Sequence, residues 1–221
     1  MAERHFAADT FELRKQWDKF AWSESNAAAA AEIVLRYPAG RRASASIPFL
    51  DLAQRQVGAM TGTQGWLPIA VIEFVARELD MPVIRVQEVA SFYTMFNLAP
   101  VGQYHVQVCG TTPCMLRGSD NVFAACKSRG MKKGHTTADG LFTLSEVECL
   151  GACANAPMVQ INDDNYEDLT EGSMGAILDA LAEGKRPRIG PQVGRQNSAP
   201  VDGPTTLKKM AERNYDYRGQ W

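Results

Sequence analysis

Tyr104-His-Val-Gln-Val-Cys109-Gly-Thr-Thr-Pro-Cys114 is the stretch on which the reading of this chain turns. Apolar and polar residues alternate from Tyr104 to Val108, the period of a half-buried strand, and the run ends at Cys109. A second strand-like run, Leu141 to Val147, leads into Cys149-Leu-Gly-Ala-Cys153. A C-x4-C pair thus follows one predicted strand and a C-x3-C pair follows another. Two strands ending side by side at one sheet edge would gather four thiols around one point. Both loops carry glycine, and small residues let backbone N–H groups approach sulfur, which helps hold a negatively charged sulfur-ligated centre.

Around these strands the pattern is that of an α/β unit. A helix is predicted from about Ser119 to Arg129, with Ser119 as its cap, and a third strand over Met158 to Asn162. Asp163-Asp164-Asn165 supplies turn chemistry before a short fourth strand, Tyr166 to Leu169. A last helix, about Gly172 to Glu183, stops at Gly184. Strand, helix, strand, hairpin, helix is a thioredoxin-like order. Upstream, periodic apolar stripes predict helices. Asn26 can cap an alanine-rich run from Ala27 to Arg36, and Ser46 with Pro48 starts a stripe of Leu50, Ala53, Val57 and Met60. Further stripes run from Ile69 to Leu79 and from Val86 to Tyr93, so a small bundle is expected.

From Lys185 onward prolines and glycines interrupt any regular element, apart from a possible short helix over Thr205 to Arg213. This segment has a net charge of +5, against −7 for the rest of the chain. It cannot build its own core, and reads as a solvated linker or as an arm lying on a partner. Tyr215, Tyr217 and Trp221 are apolar for a free end. The expected architecture is α+β: a helical domain over 1–99, a thioredoxin-like domain over 100–184, and an extended Pro/Gly-rich basic tail over 185–221.

Composition excludes several classes. At 221 residues, 45% apolar and 22% charged, the chain can bury a core and is neither disordered nor fibrous. A net charge of −2 makes no case for nucleic acid. No run approaches the roughly 18 apolar residues of a membrane span. The first residues lack a signal-peptide core, and Glu3, Asp9, Glu12 and Asp18 are acids that a transit peptide avoids, so a cytosolic or already processed protein is expected. Five cysteines, an odd number, fit metal, catalysis or burial in a reducing compartment better than a disulfide framework. Nucleotide cradles (G-x-G-x-x-G, G-x-x-x-x-G-K-[ST]), a G-x-S-x-G elbow and an H-E-x-x-H pair are all missing from the sequence. A redox centre with no site for a two-electron donor must pass electrons to a neighbour.

Spacing narrows the metal. Structural zinc favours tight C-x2-C knuckles, whereas iron–sulfur clusters accept wider spacings, and two distant pairs suit two irons. Zinc, and redox or structural thiols, remain the alternatives. Cys126 falls mid-helix and reads as a buried structural thiol. His105 reads as a satisfied or exposed strand residue, while His5 and His135 carry no signal. The acids Asp163, Asp164, Glu167, Asp168 and Glu171 read as a solvated face. The run Phe92-Tyr-Thr-Met-Phe96 exceeds what one helix face can hide, and is either domain-interface core or a partner contact.

Three stretches carry a resemblance. Ile84-Arg-Val-Gln-Glu-Val-Ala-Ser-Phe-Tyr-Thr-Met-Phe-Asn97, Cys109-Gly-Thr-Thr-Pro-Cys-Met-Leu-Arg-Gly118 and Glu148-Cys-Leu-Gly-Ala-Cys-Ala-Asn-Ala-Pro157 resemble the thioredoxin-like [2Fe–2S] subunit of respiratory complex I. The similarity covers about residues 25–190. It implies a helical domain followed by a thioredoxin-like domain, and one [2Fe–2S] cluster on Cys109, Cys114, Cys149 and Cys153. It further implies an NADH:quinone oxidoreductase in which FMN and NADH bind a partner subunit. The assembly would lie on the cytoplasmic face of a bacterial membrane or in the mitochondrial matrix. The equivalent subunit of soluble NAD-dependent formate dehydrogenases or hydrogenases shares the cysteine pattern. From another class altogether, a zinc-stapled thioredoxin-like scaffold protein is the alternative.

Overall fold

The computed structural model describes residues 15–203, 205 and 206. They fall into two compact units, one holding the described residues up to Val106 together with Met131–Ser145, the other Gln107–Gly130 and those from Glu146 onward. The helices of the first unit are α1 (Glu24–Leu35), α2 (Ser46–Thr61), α3 (Ile69–Leu79) and α4 (Val83–Phe92). Those of the second are α5 (Thr112–Leu116), α6 (Ser119–Lys127) and α7 (Glu171–Ala182). The strands are β1 (Tyr104–Cys109), β2 (His135–Thr136), β3 (Phe142–Val147), β4 (Val159–Ile161), β5 (Asp164–Glu167) and β6 (Gly190–Pro191), in the order β2-β3-β1-β4-β5-β6. Mixed helices and sheet, with the helices first, is the architecture read from the sequence.

In the first unit, Phe49, Leu50, Val57, Val71, Ile72, Val75 and Leu79 are almost wholly buried along α2 and α3. Each such side chain contributes about 1.5–3 kcal/mol of transfer free energy. Beside them an aromatic cluster packs edge to face: Phe20 on Phe74 at 5.1 Å, Trp22 on Phe74 at 5.2 Å and Trp22 on Phe49 at 5.8 Å. That geometry places ring edges on ring faces, as the aromatic quadrupole favours.

The start of α1 differs from the sequence expectation. Ser23 caps it, accepting from the Asn26 N–H at 3.3 Å, while the Asn26 amide donates to Gln56 Oε1 at 2.8 Å. Gln56, buried on α2, also accepts from the Ser23 N–H and donates to the Ala21 carbonyl, so it ties the entry of α1 in place. A tertiary partner has claimed the side chain that local sequence assigns to the cap. Gln54 does the same for the segment after α4, donating to the Met95 carbonyl at 3.1 Å and accepting from the Asn97 N–H at 2.7 Å. Gly65 sits against this turn of α2. A Cβ there would lie 2.1 Å from the Gln54 carbonyl oxygen, at a φ of 84°.

In the second unit α6 and α7 pack together, burying Val122, Phe123 and Cys126 from one and Met174, Ile177, Leu178 and Leu181 from the other. Arg129 grips Asp179 through two hydrogen bonds of 2.7 and 2.6 Å. Thr170 and Ser173 form a reciprocal capping box at the start of α7. At α6 the cap position falls on Gly118, and Ser119, expected as the cap, is the buried first residue of the helix. The hairpin β4–β5 pairs antiparallel, with Val159 opposite Tyr166.

The tail departs furthest from expectation. Its beginning is neither a linker nor free of regular structure, because β6 pairs parallel with β5, Tyr166 opposite Gly190 and Glu167 opposite Pro191. Proline fits there because Gln192, not Pro191, donates the next bond, to the Glu167 carbonyl at 2.9 Å. The helix considered for Thr205 to Arg213 lies largely outside the described residues, as do His5, Tyr215, Tyr217 and Trp221.

Candidate metal centre

Two loops carry the four thiols. Cys109 is the last residue of β1, and Cys149 follows β3 by two residues. The Gly110 N–H donates to the Val147 carbonyl at 3.1 Å, so the two strand ends lie side by side. The Cys109 N–H donates to the Met158 carbonyl at 3.3 Å, which places the start of the β4 segment on the other flank. Cys114 stands on α5, a single helical turn in a segment whose sequence suggests only a loop; Pro113 near the helix start is the signal that marks it. Cys153 opens a 3-10 turn, Cys153–Asn155.

The two pairs meet water differently. Cys109 and Cys114 are buried, packed with Ala156 and Met158 and flanked by Leu150 and Ala152. Cys149 and Cys153 are exposed, with their sulfurs 3.3 Å apart. A single tetrahedral ion with metal–sulfur bonds near 2.3 Å would set such a pair about 3.8 Å apart, a small adjustment on an exposed loop. Gly151, between them, holds a φ of 85° with nothing within 4 Å of where a Cβ would be. Its glycine is therefore required by backbone conformation rather than by space. That conformation turns the Gly151 N–H onto Cys149 Sγ at 3.4 Å.

Electrostatics alternate within each pair. Burial resists ionisation of Cys109, but hydrogen bonds from Thr111, Cys114 and the Leu150 N–H outweigh it, and the thiol sits below its ordinary value. Burial, with the bond to Cys109, pushes Cys114 up to about 11. The Gly151 N–H lowers Cys149, and the bond to Cys149 raises Cys153. Within each pair one thiol is thus favoured as a thiolate over its neighbour, and metal binding needs both deprotonated. Charge coupling reaches across the pairs, Cys109 to Cys149 and Cys153 to Cys114. Among the described residues no three or more His, Cys, Asp or Glu side chains are gathered closely enough to hold a metal ion as they stand. The donor set, four soft thiols in two pairs, suits a group with two metal positions.

The other candidate residues lie elsewhere. Cys126 is fully buried, its thiol pushed up to about 12 by burial. His105 is buried, with Nε2 2.9 Å from Ser145 Oγ. His135 is exposed on β2. The acidic stretch is not one solvated face. Asp163, Asp164 and Glu171 are exposed, whereas Glu167 accepts from the Asn155 amide and Asp168 is paired with Arg195. Of the aromatic run, Phe96 joins the first unit's core, while Phe92, Tyr93 and Met95 are exposed.

Known proteins bear on this arrangement. The family model described as thioredoxin-like [2Fe–2S] ferredoxin matches residues 30–182. A subunit of the NADH-quinone oxidoreductase of Rickettsia conorii is 57% identical over 163 residues, 73% of this chain and 94% of that protein. The mitochondrial NADH dehydrogenase [ubiquinone] flavoprotein 2 of Dictyostelium discoideum is 48% identical over 189 residues, 85% of this chain and 74% of that protein. Among solved structures, an NAD+-reducing [NiFe]-hydrogenase in the air-oxidised state superposes with a TM-score of 0.52 at 18% identity, over 63% of this chain and 23% of that one, and shows a shared fold. With a sequence relative matched over nearly its whole length and a family model spanning both cysteine loops, this chain belongs to the thioredoxin-like [2Fe–2S] ferredoxin family.

Proposed function

We propose that this protein is the electron-transfer subunit of an NADH:quinone oxidoreductase, holding one [2Fe–2S] cluster on Cys109, Cys114, Cys149 and Cys153. The observation that carries the reading is that both thiol pairs follow neighbouring strand ends, in a chain 57% identical to a subunit of that enzyme. When bound, such a cluster supplies one-electron exchange, at a potential set by its net charge, by hydrogen bonds to sulfur and by solvent exposure. The chain's own groups act on those three factors. Cys109 and Cys114 hold one side in a dry pocket of Ala156 and Met158. The N–H groups of Leu150 and Gly151 and the Thr111 hydroxyl point at sulfur and offset negative charge there. Cys149 and Cys153 leave the other side at the surface, beside a loop that a redox partner can approach.

Residues 100–184 serve as the redox domain in this reading, residues 1–99 and the tail from 185 as parts that join the assembly. FMN and NADH bind a partner subunit. Among the described residues no helix is long and apolar enough to cross a membrane. The chain is a peripheral subunit, on the cytoplasmic side of a bacterial membrane or on the matrix side in a mitochondrion. Metal and acid-labile sulfide analysis with visible absorption tests the centre: about two irons and two sulfides per chain are expected. A colourless protein with one zinc and no sulfide would end the reading. Alanine at any of the four cysteines should lose or loosen the cluster, whereas Cys126→Ala keeps it and costs about 1 kcal/mol of packing. Bleaching by Cys126→Ala but not by Cys153→Ala would overturn the ligand set.

A further inference from the structure

The second unit contains an ion pair that is almost wholly buried, Arg195 with Asp168, whose side chains are 8% and 10% exposed. Arg195 belongs to the basic C-terminal segment, four residues beyond β6. Its Nε donates to Asp168 Oδ2 at 2.8 Å, and its Nη2 donates both to Asp168 Oδ1 and, at 3.0 Å, to the carbonyl of Ala154. Ala154 follows Cys153 directly. The next residue, Asn155, is fully buried and donates its amide to Glu167 Oε2 at 2.6 Å and to the Asn197 carbonyl at 2.9 Å. The Asp168 N–H returns a bond to the Asn155 carbonyl at 2.7 Å. The Cys153–Asn155 turn is thus clasped from two directions, by the end of β5 and by residues 195–197.

Two features set this apart from ordinary surface pairing. Taking both charges out of water is costly and is repaid only when further hydrogen bonds satisfy the pair. Here one of those further bonds goes to a backbone carbonyl adjoining a thiol of the metal centre. The turn also needs support from outside, because Cys149, Gly151, Cys153 and Ala154 are exposed. The parallel pairing of β6 with β5 fixes where the strap begins, so Arg195 is delivered in register.

We propose that residues 188–199 form a strap holding the Cys153 side of the metal centre, with Arg195 as its positioning residue. The inference rests on Cys153 being a cluster ligand. Loss of the guanidinium leaves the Asp168 carboxylate buried without a partner and releases the Ala154 carbonyl. The turn then moves, and the exposed pair of thiolates holds its metal less well.

The test uses the full chain with its cluster, under anaerobic conditions. The rate of bleaching by a ferrous chelator and the EPR spectrum of the dithionite-reduced protein are compared for the wild type, Arg195→Gln, Arg195→Lys and Arg129→Gln. Partners that orient metal ligands are worth about 10–100-fold in metal retention, so Arg195→Gln should bleach at least about tenfold faster, with a shifted EPR line shape. Arg195→Lys keeps the charge but not the planar fork and should fall between. Arg129→Gln breaks the ion pair between Arg129, just beyond α6, and Asp179 on α7, neither of which carries one of the four thiols, and should behave as wild type. Wild-type bleaching and spectrum in Arg195→Gln would overturn the strap, as would equal acceleration by Arg129→Gln. If Arg195→Gln yields no folded protein, Arg195→Lys decides alone: faster loss supports the strap and a wild-type rate overturns it. A wild-type protein without acid-labile sulfide would overturn the cluster reading and the strap with it, a result distinct from an intact cluster indifferent to Arg195.

Discussion

Thiol alkylation after iron removal reads the ligand set without a mutation. The perturbation is chelation of the purified chain under argon, followed by iodoacetamide at about pH 8 and peptide mass mapping over time. The thiolate is the reacting species, so burial and acidity fix the order. Cys126 is fully buried and its thiol lies at about 12, against an ordinary 9.0. That difference alone lowers its thiolate population about a thousandfold at pH 8, before any loss of access. Cys149 and Cys153 are exposed and should react first once iron has left. Cys109 and Cys114, buried at the end of β1 and on α5, should follow more slowly as the emptied loops open. In the iron-loaded protein all five should resist, four through ligation and Cys126 through burial. Alkylation of Cys126 at a rate within tenfold of Cys149 or Cys153 would refute the reasoning. So would full-rate alkylation of one of the four while iron is still bound.

His105 should leave a signature in the acid limb of stability. Burial lowers it to about 4 from 6.5, so the folded chain keeps it neutral while the unfolded chain takes up a proton below 6.5. Its share of stability is complete above pH 6.5 and declines towards pH 4, by about 2 kcal/mol between pH 7.5 and 5. Urea titrations of wild type and His105→Gln should differ in pH slope by that amount, and parallel slopes would refute it. Gly65→Ala sets a Cβ 2.1 Å from a backbone oxygen at positive φ, and should cost about 3 kcal/mol in the same titrations. A loss below about 1 kcal/mol would show that the turn relaxes freely.

Local order along this chain determined a good deal by itself. Alternation over Tyr104–Val108 and periodic stripes over Ile69–Leu79 placed β1 and α3 within a residue or so, because the spacing of apolar residues carries the period of the element, although β1 buries residues on both of its faces, His105 among them. The cysteine spacings, with a glycine in each loop, pointed to a sulfur-ligated centre, since loops after adjacent strands start from one sheet edge. What the sequence could not determine are choices in which distant groups compete for one side chain. Asn26 is locally an excellent cap, yet Gln56, thirty residues on, takes its amide and leaves the role to Ser23. Asp168 lies among acids that read as a solvated face, yet a guanidinium twenty-seven residues away draws it inside. The proline- and glycine-rich segment lacks a core of its own, and only the open edge of β5 makes its start regular, because unpaired backbone groups at a sheet edge accept any strand brought to them. Spacing showed which thiols belong together. Which pair is dry, which is wet, and what holds the wet turn in place depended on tertiary packing, because burial and long-range hydrogen bonds have no period in the chain.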